Sequence, residues 1–145
     1  MILYLDTSAL VKKYFKEVGS NHVISLWKKS IAIVTSSVAY AETMASFYRK
    51  KREAHIKEKL IKTTINIFKK DWKSFVRIEA NDDLNEKIDN LIDLHSLRGF
   101  DAIHLASALV IHETVSEAFL FACFDKKLLN AAITEGLNTF PVNIE

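Results

Sequence analysis

The sequence predicts an α/β domain, doubly wound, on a central parallel sheet of four to five strands. Three observations carry this. Short unbroken apolar runs recur at Ile2–Leu5, Ile31–Val34 and Ala118–Phe124, the pattern of strands buried on both faces. Between them lie stretches with helical periodicity, and strands that alternate with helices specify a parallel sheet covered on its faces. The chain has 145 residues, 49% of them hydrophobic, with 3 Gly and 1 Pro, which suits one domain with a real core and argues against a long disordered tail.

The single cysteine, Cys123, permits no internal disulfide and fits a reducing compartment, so a cytoplasmic protein is expected. Asp6 interrupts the apolar N-terminus with no basic leader before it, and no run approaches the length of a membrane span. Neither a signal peptide nor a membrane association is expected. The net charge of +2 hides a division: residues 49–73 hold ten Lys/Arg against three Asp/Glu, while the rest of the chain is acidic.

Taken in order, the first strand, Ile2–Leu5, ends on Asp6-Thr7-Ser8, and a helix follows with Ala9, Leu10, Val11, Tyr14 and Phe15. Asp6 reads equally as a helix N-cap and as an acid at the carboxyl end of a strand, where open α/β sheets place their ligands. Gly19-Ser20 breaks the chain before a short helix over Asn21–Lys29. The second strand, Ile31–Val34, closes on Thr35-Ser36-Ser37, and the next helix runs from Val38 to about Arg52. Tyr40, Met44 and Phe47 form a bulky stripe on it at i, i+4 and i+7, while Glu42 points the other way among Val38, Ala39, Ala45 and Ser46. Small residues beside an acid let the backbone pack close and let the acid look inward, although a solvated glutamate is the commoner fate.

Residues 55–75 continue as amphipathic helix with Ile56, Leu60, Thr64, Ile67/Phe68, Trp72 and Phe75 on the apolar side. The stretch at about 38–75 is thus expected as a helical hairpin inserted between sheet strands of a single domain spanning 1–145. It carries Arg49, Lys50, Lys51, Arg52, Lys57, Lys59, Lys62, Lys69, Lys70 and Lys73, a density that makes a polyanion a fair competitor to plain solvation. Val76–Glu79 reads as a third strand, and Asp83-Leu84-Asn85-Glu86 as a capping box opening a helix to Leu97. The helix after Gly99 is apolar around most of its circumference and belongs in the interior, yet carries Asp101 in its first turn. A buried carboxylate is costly unless something pairs with it, and the helix N-terminus offsets less than about 1 kcal/mol. Ala118–Phe124 is the fourth strand, expected to be central; it ends on Asp125, a possible N-cap of the helix Lys126–Glu135, and Phe140-Pro141-Val142 adds an edge strand. His104 and His112 read as partly exposed polar residues, Cys123 as a small buried hydrophobe, and Trp27 and Trp72 as packing residues.

In such a sheet the carboxyl ends of the strands share one edge, so Asp6, Glu42, Asp101 and Asp125 can all reach one cleft. Four carboxylates in one place repel one another, and some stay protonated unless cations intervene. Hard oxygen ligands suit Mg²⁺ or Mn²⁺ better than Zn²⁺. Such ions polarise a phosphodiester and lower the pKa of a bound water for in-line attack.

Four fragments, Leu5-Asp6-Thr7-Ser8-Ala9-Leu10, Ser36-Ser37 through Tyr40-Ala41-Glu42, Leu97 to Ala106, and Phe124-Asp125-Lys126-Lys127-Leu128, stand in an order and spacing that resemble the PIN-domain ribonucleases, in particular the toxins of VapBC-type toxin–antitoxin pairs. The resemblance spans essentially the whole chain. It implies a PIN-like three-layer α/β/α sandwich and a Mg²⁺-dependent endoribonuclease, Mn²⁺ able to substitute, that leaves 5′-phosphate and 3′-hydroxyl ends. Asp6, Glu42, Asp101 and Asp125 would be the catalytic, metal-binding acids. Ser8 would support Asp6, and Arg98 would border the substrate cleft. It further implies an RNA substrate, a cognate antitoxin protein and a homodimer; the Tyr40/Met44/Phe47 stripe is covered either by the helical hairpin beyond it or, further, by the second copy of such a dimer. Cys123 departs from the family pattern, standing where Thr is common. A dehalogenase-type phosphatase would want a second Asp at Ser8, and a receiver domain would want paired acids at the end of the first strand. The remaining alternative is a catalytically silent PIN-fold module that binds RNA or protein.

Overall fold

The computed structural model describes residues 1–144. Its sheet has five strands, all parallel, in the order β3-β2-β1-β4-β5: β1 (Ile2–Leu5), β2 (Ala32–Ser36), β3 (Val76–Ile78), β4 (Phe119–Ala122) and β5 (Thr139–Phe140). The centre is β1, whose four residues are all buried; the apolar run ending at Ala122 lies beside it. The chain moves outward from β1 to β2 to β3, then returns past β1 to β4 and β5. The reversal lies between β1 and β4, whose carboxyl ends are joined by Asp6 N–H donating to Ala122 O at 3.2 Å. A ligand crevice belongs at that point in an open parallel sheet.

Alternation along β1 divides the core in two. Ile2 and Tyr4 face one side with Leu105, Leu109, Phe121 and Leu128, and Leu3 and Leu5 face the other with Leu10, Val23, Phe47 and Phe68. The first side is covered by α5 (Asn85–His95), α6 (Gly99–Thr114) and α7 (Lys126–Thr134); the second by α1 (Thr7–Leu10), α2 (Ser20–Lys29), α3 (Ala39–Glu53) and α4 (Glu58–Trp72). This is the three-layer α/β/α arrangement. Gly19 supplies the left-handed turn before α2 (φ 92°), and a Cβ there would lie 2.8 Å from the Phe124 ring, so both conformation and space call for glycine.

Several local expectations shift. The buried face of α4 is Ile61, Thr64, Ile65 and Phe68, while Leu60 and Ile67 face outward. The Tyr40/Met44/Phe47 stripe of α3 is not a free face: Phe47 is fully buried, and Tyr40 packs on Phe68 and Trp72 with ring centroids 5.7 and 5.4 Å apart. The stripe therefore closes the hairpin of α3 on α4, with Phe47 buried and Tyr40 and Met44 partly buried against the same core. The capping box at Asp83–Glu86 does not form. Asn81 caps the short 3₁₀ turn Asp82–Leu84 instead, accepting from Asp83 N–H at 3.0 Å, and α5 starts at Asn85, its N-cap residue Leu84 offering no side-chain cap. Trp27 and Trp72 pack on Phe75, as packing residues should. Among the described residues no helix is long and apolar enough to cross a membrane.

Candidate active site

The site is assembled from the ends of β1 and β4 and the first turns of three helices. Asp6 is both N-cap and site acid: its Oδ1 accepts from Ala9 N–H at 3.0 Å, opening α1, and from Ser8 Oγ–H at 2.7 Å. The Ser8 hydroxyl in turn accepts from Phe124 N–H at 2.9 Å, tying the loop after β1 to the loop after β4. Asp125 caps α7 in the same manner, its Oδ1 accepting from Leu128 N–H at 2.9 Å. In both residues the cap uses Oδ1, and both residues line the cleft. The local role and the site role coexist.

Glu42 sits in the first turn of α3, half-buried. Its Oε1 accepts from Thr7 Oγ–H at 2.8 Å and bonds His104 Nε2 at 2.7 Å. Asp101, in the first turn of α6, faces Arg98, whose Nε lies 3.5 Å from Asp101 Oδ2 and whose Nη2 lies 3.6 Å from Asp125 Oδ2. That guanidinium is the cation nearest the half-buried Asp101, and it remains 83% exposed. All four acids line one cavity of about 440 Å³ together with Thr7, Ser8, Arg49, Arg98 and His104. An adjoining cavity of about 490 Å³ shares Glu42, Arg98 and Asp101 and is walled by Phe100 and Ile103.

The electrostatics record uncompensated negative charge. Burial pushes the Asp6 carboxyl above the usual range, against the opposing pull of His104, Ser8 and the Ala9 amide. Burial also raises Asp101, and the neighbouring charge of Asp125 adds to it more than Arg98 relieves. Glu42 behaves oppositely: burial would raise it, but the hydrogen bond and charge of His104, with the Thr7 hydroxyl, hold it below the usual range. The site thus offers one firmly ionised acid and two that gain from an added cation.

The donor set fits a hard divalent metal. The donors are carboxylate oxygens; the His104 ring has a partner at each nitrogen, and Cys123 is fully buried with its thiol pushed up by burial. Among the described residues no three His, Cys, Asp or Glu close into a ready-made metal cage. The acids line a cavity rather than clasp a point. Mg²⁺ tolerates this, because it keeps several waters and takes only one or two carboxylates plus substrate oxygens.

His104 is the residue that sequence reasoning placed wrongly. It is 1% exposed, and Tyr4 Oη is 2.9 Å from its Nδ1. The available signal was its position three residues after Asp101, which puts both on one face of an otherwise apolar helix. Cys123 takes the Asp125 N–H at 3.3 Å on its sulfur. The basic helices divide. Lys50 pairs with Glu17 at 3.0 Å and Lys51 with Glu58, whereas Arg49 lines the acid cavity.

Comparisons with known proteins agree with this architecture. The PIN domain family profile matches residues 3–133. The chain is 28% identical to Ribonuclease VapC45 of Mycobacterium tuberculosis over 144 residues, covering 99% of this chain and 98% of that one. Among solved structures, that of VapBC2 from Rickettsia felis bound to a DNA fragment from its promoter superposes over 100% of both chains with a TM-score of 0.65 at 16% identity. PAE2754 from Pyrobaculum aerophilum superposes with a TM-score of 0.60 at 17% identity, covering 96% of this chain and 92% of that one. With the match running from β1 through α7 and the acids gathered at the sheet reversal, the chain belongs to the PIN domain family.

Proposed function

We propose that this protein is a Mg²⁺-dependent endoribonuclease, with Mn²⁺ able to substitute, and that it is the toxin of a VapBC-type pair acting in the cytoplasm. The observation that carries the reading is the convergence of Asp6, Glu42, Asp101 and Asp125, from four separate parts of the chain, on one cavity bridged by Arg98. The name Ribonuclease VapC on a relative matching end to end supports the reaction class, and the VapBC fold neighbour supports a partner antitoxin protein. A homodimer belongs to the same reading, on a surface other than the α3 stripe. A silent binding module has no use for carboxylates left so poorly compensated.

The residues divide the work as follows. Asp6, Asp101, Glu42 and Asp125 would hold the metal through the oxygens not used as caps or pinned by neighbours. Once bound, the metal supplies polarisation of the phosphodiester and a water of lowered pKa. Ser8 keeps Asp6 from rotating and locks the two loops in register. Arg98, 3.5 and 3.6 Å from two acids without a hydrogen bond to either and largely exposed, is free to turn toward a phosphate oxygen when RNA enters. Arg49 offers a second guanidinium across the cavity.

The test is to express the chain without a partner and sequence the RNA ends that accumulate, beside an Asp101→Asn control. New 5′-phosphate ends in the first and not in the second support the reading; identical RNA ends in both overturn it.

A further inference from the structure

The polar chain behind Glu42 goes beyond what the four acids explain. His104 lies in the middle of α6 with buried Ala102, Leu105, Ala106 and Ala108 around it, and it is itself buried. A histidine there carries a desolvation cost that a leucine would not. It meets that cost with two directed bonds. The Tyr4 hydroxyl, fully buried on β1, is 2.9 Å from Nδ1, and Glu42 Oε1 is 2.7 Å from Nε2. An ionised carboxylate only accepts, so Nε2 carries the hydrogen that bonds Glu42, while Nδ1 pairs with the Tyr4 hydroxyl. The imidazole also stands edge-on to the Tyr4 ring, at 6.0 Å and 85°. Thr7 Oγ completes the arrangement, donating to the same Glu42 oxygen and lying 3.4 Å from Nε2.

We propose that His104 is a positioning residue of the acid cluster: held by Tyr4, it pins Glu42 Oε1 so that Oε2 is presented to the cavity. This rests on the metal-dependent nuclease reading above. A glutamate has three side-chain torsions, and a half-exposed one on a helix samples several rotamers unless a partner fixes it. Both hydrogen bonds converge on one oxygen, which consumes that oxygen and leaves the other as ligand. Partners of this kind behind a metal-binding side chain typically contribute about 10–100-fold in metal affinity or activity. His104 touches neither substrate nor metal in this scheme; it acts through Glu42.

The experiment titrates Mn²⁺ into metal-free, RNA-free protein, reading free Mn²⁺ by electron paramagnetic resonance. It runs beside single-turnover RNA cleavage at saturating enzyme and melting temperature in chelator. The variants are Glu42→Gln, His104→Gln, His104→Asn and the double variant Tyr4→Phe/His104→Leu, which leaves no buried polar group unpaired. Gln at 104 sets an N–H near the Nε2 position, within reach of Glu42; Asn stops near Nδ1. The double variant and His104→Asn should weaken Mn²⁺ binding about 10–100-fold and slow single-turnover cleavage comparably, with RNA affinity unchanged, and His104→Gln should restore most of both. If the folded double variant binds Mn²⁺ and cleaves like wild type while Glu42→Gln loses both, His104 is a packing residue and the proposal falls, with the nuclease reading intact. If the double variant does not fold, the Gln–Asn pair decides: equal Mn²⁺ affinity in the two overturns the proposal. A wild type that neither binds Mn²⁺ nor cleaves RNA overturns both readings together.

Discussion

Asp125 raises the proton affinity of Asp101: burial pushes the Asp101 carboxyl up first, and the negative charge of Asp125, reaching it from the loop after β4, pushes it further. The charge of one acid opposes the ionisation of the other because the fold brings both to one cavity.

The first prediction follows from that repulsion. A carboxyl whose pKa is raised on folding costs stability once it ionises. The penalty is absent below the unfolded value, grows as pH rises through the window up to the folded one, and is then fully present. Asp6 and Asp101 are both of this kind. In chelator at neutral pH, Asp101→Asn should therefore melt a few degrees above wild type, and the difference should vanish at acid pH. Mn²⁺ should raise the wild-type melting temperature, by binding only the folded state, and should barely move the variant. Scanning calorimetry over a pH series checks this; a variant less stable than wild type in chelator would contradict it.

Glu42 carries the opposite sign. Its folded pKa is depressed, so its ionisation contributes stability above the unfolded value, and that stability is lost as pH falls through the folded one. Glu42→Gln should lower the melting temperature at neutral pH and converge on wild type in acid. The same calorimetric series measures it, and a neutral-pH gain like that expected for Asp101→Asn would refute the assignment.

Cleavage and capture of RNA should separate. Asp6→Asn and Asp101→Asn should abolish cleavage and leave RNA affinity within a few-fold of wild type, since they act on the chemical step. Arg49→Ala and Arg98→Ala should weaken binding and each reduce the salt slope by about one, because each removes one phosphate contact. Lys50 and Lys51 are already paired with Glu17 and Glu58, so their removal should change the slope less. Filter binding over a salt series with matched single-turnover rates distinguishes the groups.

Ser8 should matter to both stability and rate. Ser8→Ala removes the 2.7 Å bond to Asp6 and strands the Phe124 amide. The expected cost is about 1–3 kcal/mol in urea unfolding, with a slower single-turnover rate and unchanged RNA affinity. A wild-type rate in the variant would remove Ser8 from the positioning of Asp6.

The α3 stripe should behave as core. Phe47→Ala and Phe68→Ala should each cost about 3–5 kcal/mol of unfolding free energy. Light scattering on folded Tyr40→Ala should give the wild-type mass, whatever that mass is. A specific loss of association would return the stripe to an interface.

Much of this protein is written locally. Apolar runs with no interruption marked β1, β2 and β4, because a strand covered on both faces has no polar side to betray its register. Asp6 and Asp125 were legible because a cap is decided by its own three following residues, and Asp101 because an acid on an apolar helix is conspicuous anywhere. Arg98, three residues before Asp101, sits within the same turn. What only the tertiary structure decided involves choices among equals or partners far away in sequence. Leu60 and Ile61 are adjacent and similar, so periodicity alone leaves the buried face of α4 uncertain by one position. With Phe68 packed on Phe47 and Tyr40, Ile61 and Ile65 join the same buried cluster. The stripe of α3 was visible, and the hairpin beyond it was one of two candidate covers; an apolar face does not choose between them, and the packing on Phe68 and Trp72 did. His104 depends on Tyr4, 100 residues away, and Glu42, 62 away. A buried polar side chain is stable only when specific groups meet it, and which groups meet is settled by the packing of α3 and α6 across the sheet edge, not by any neighbour in the chain.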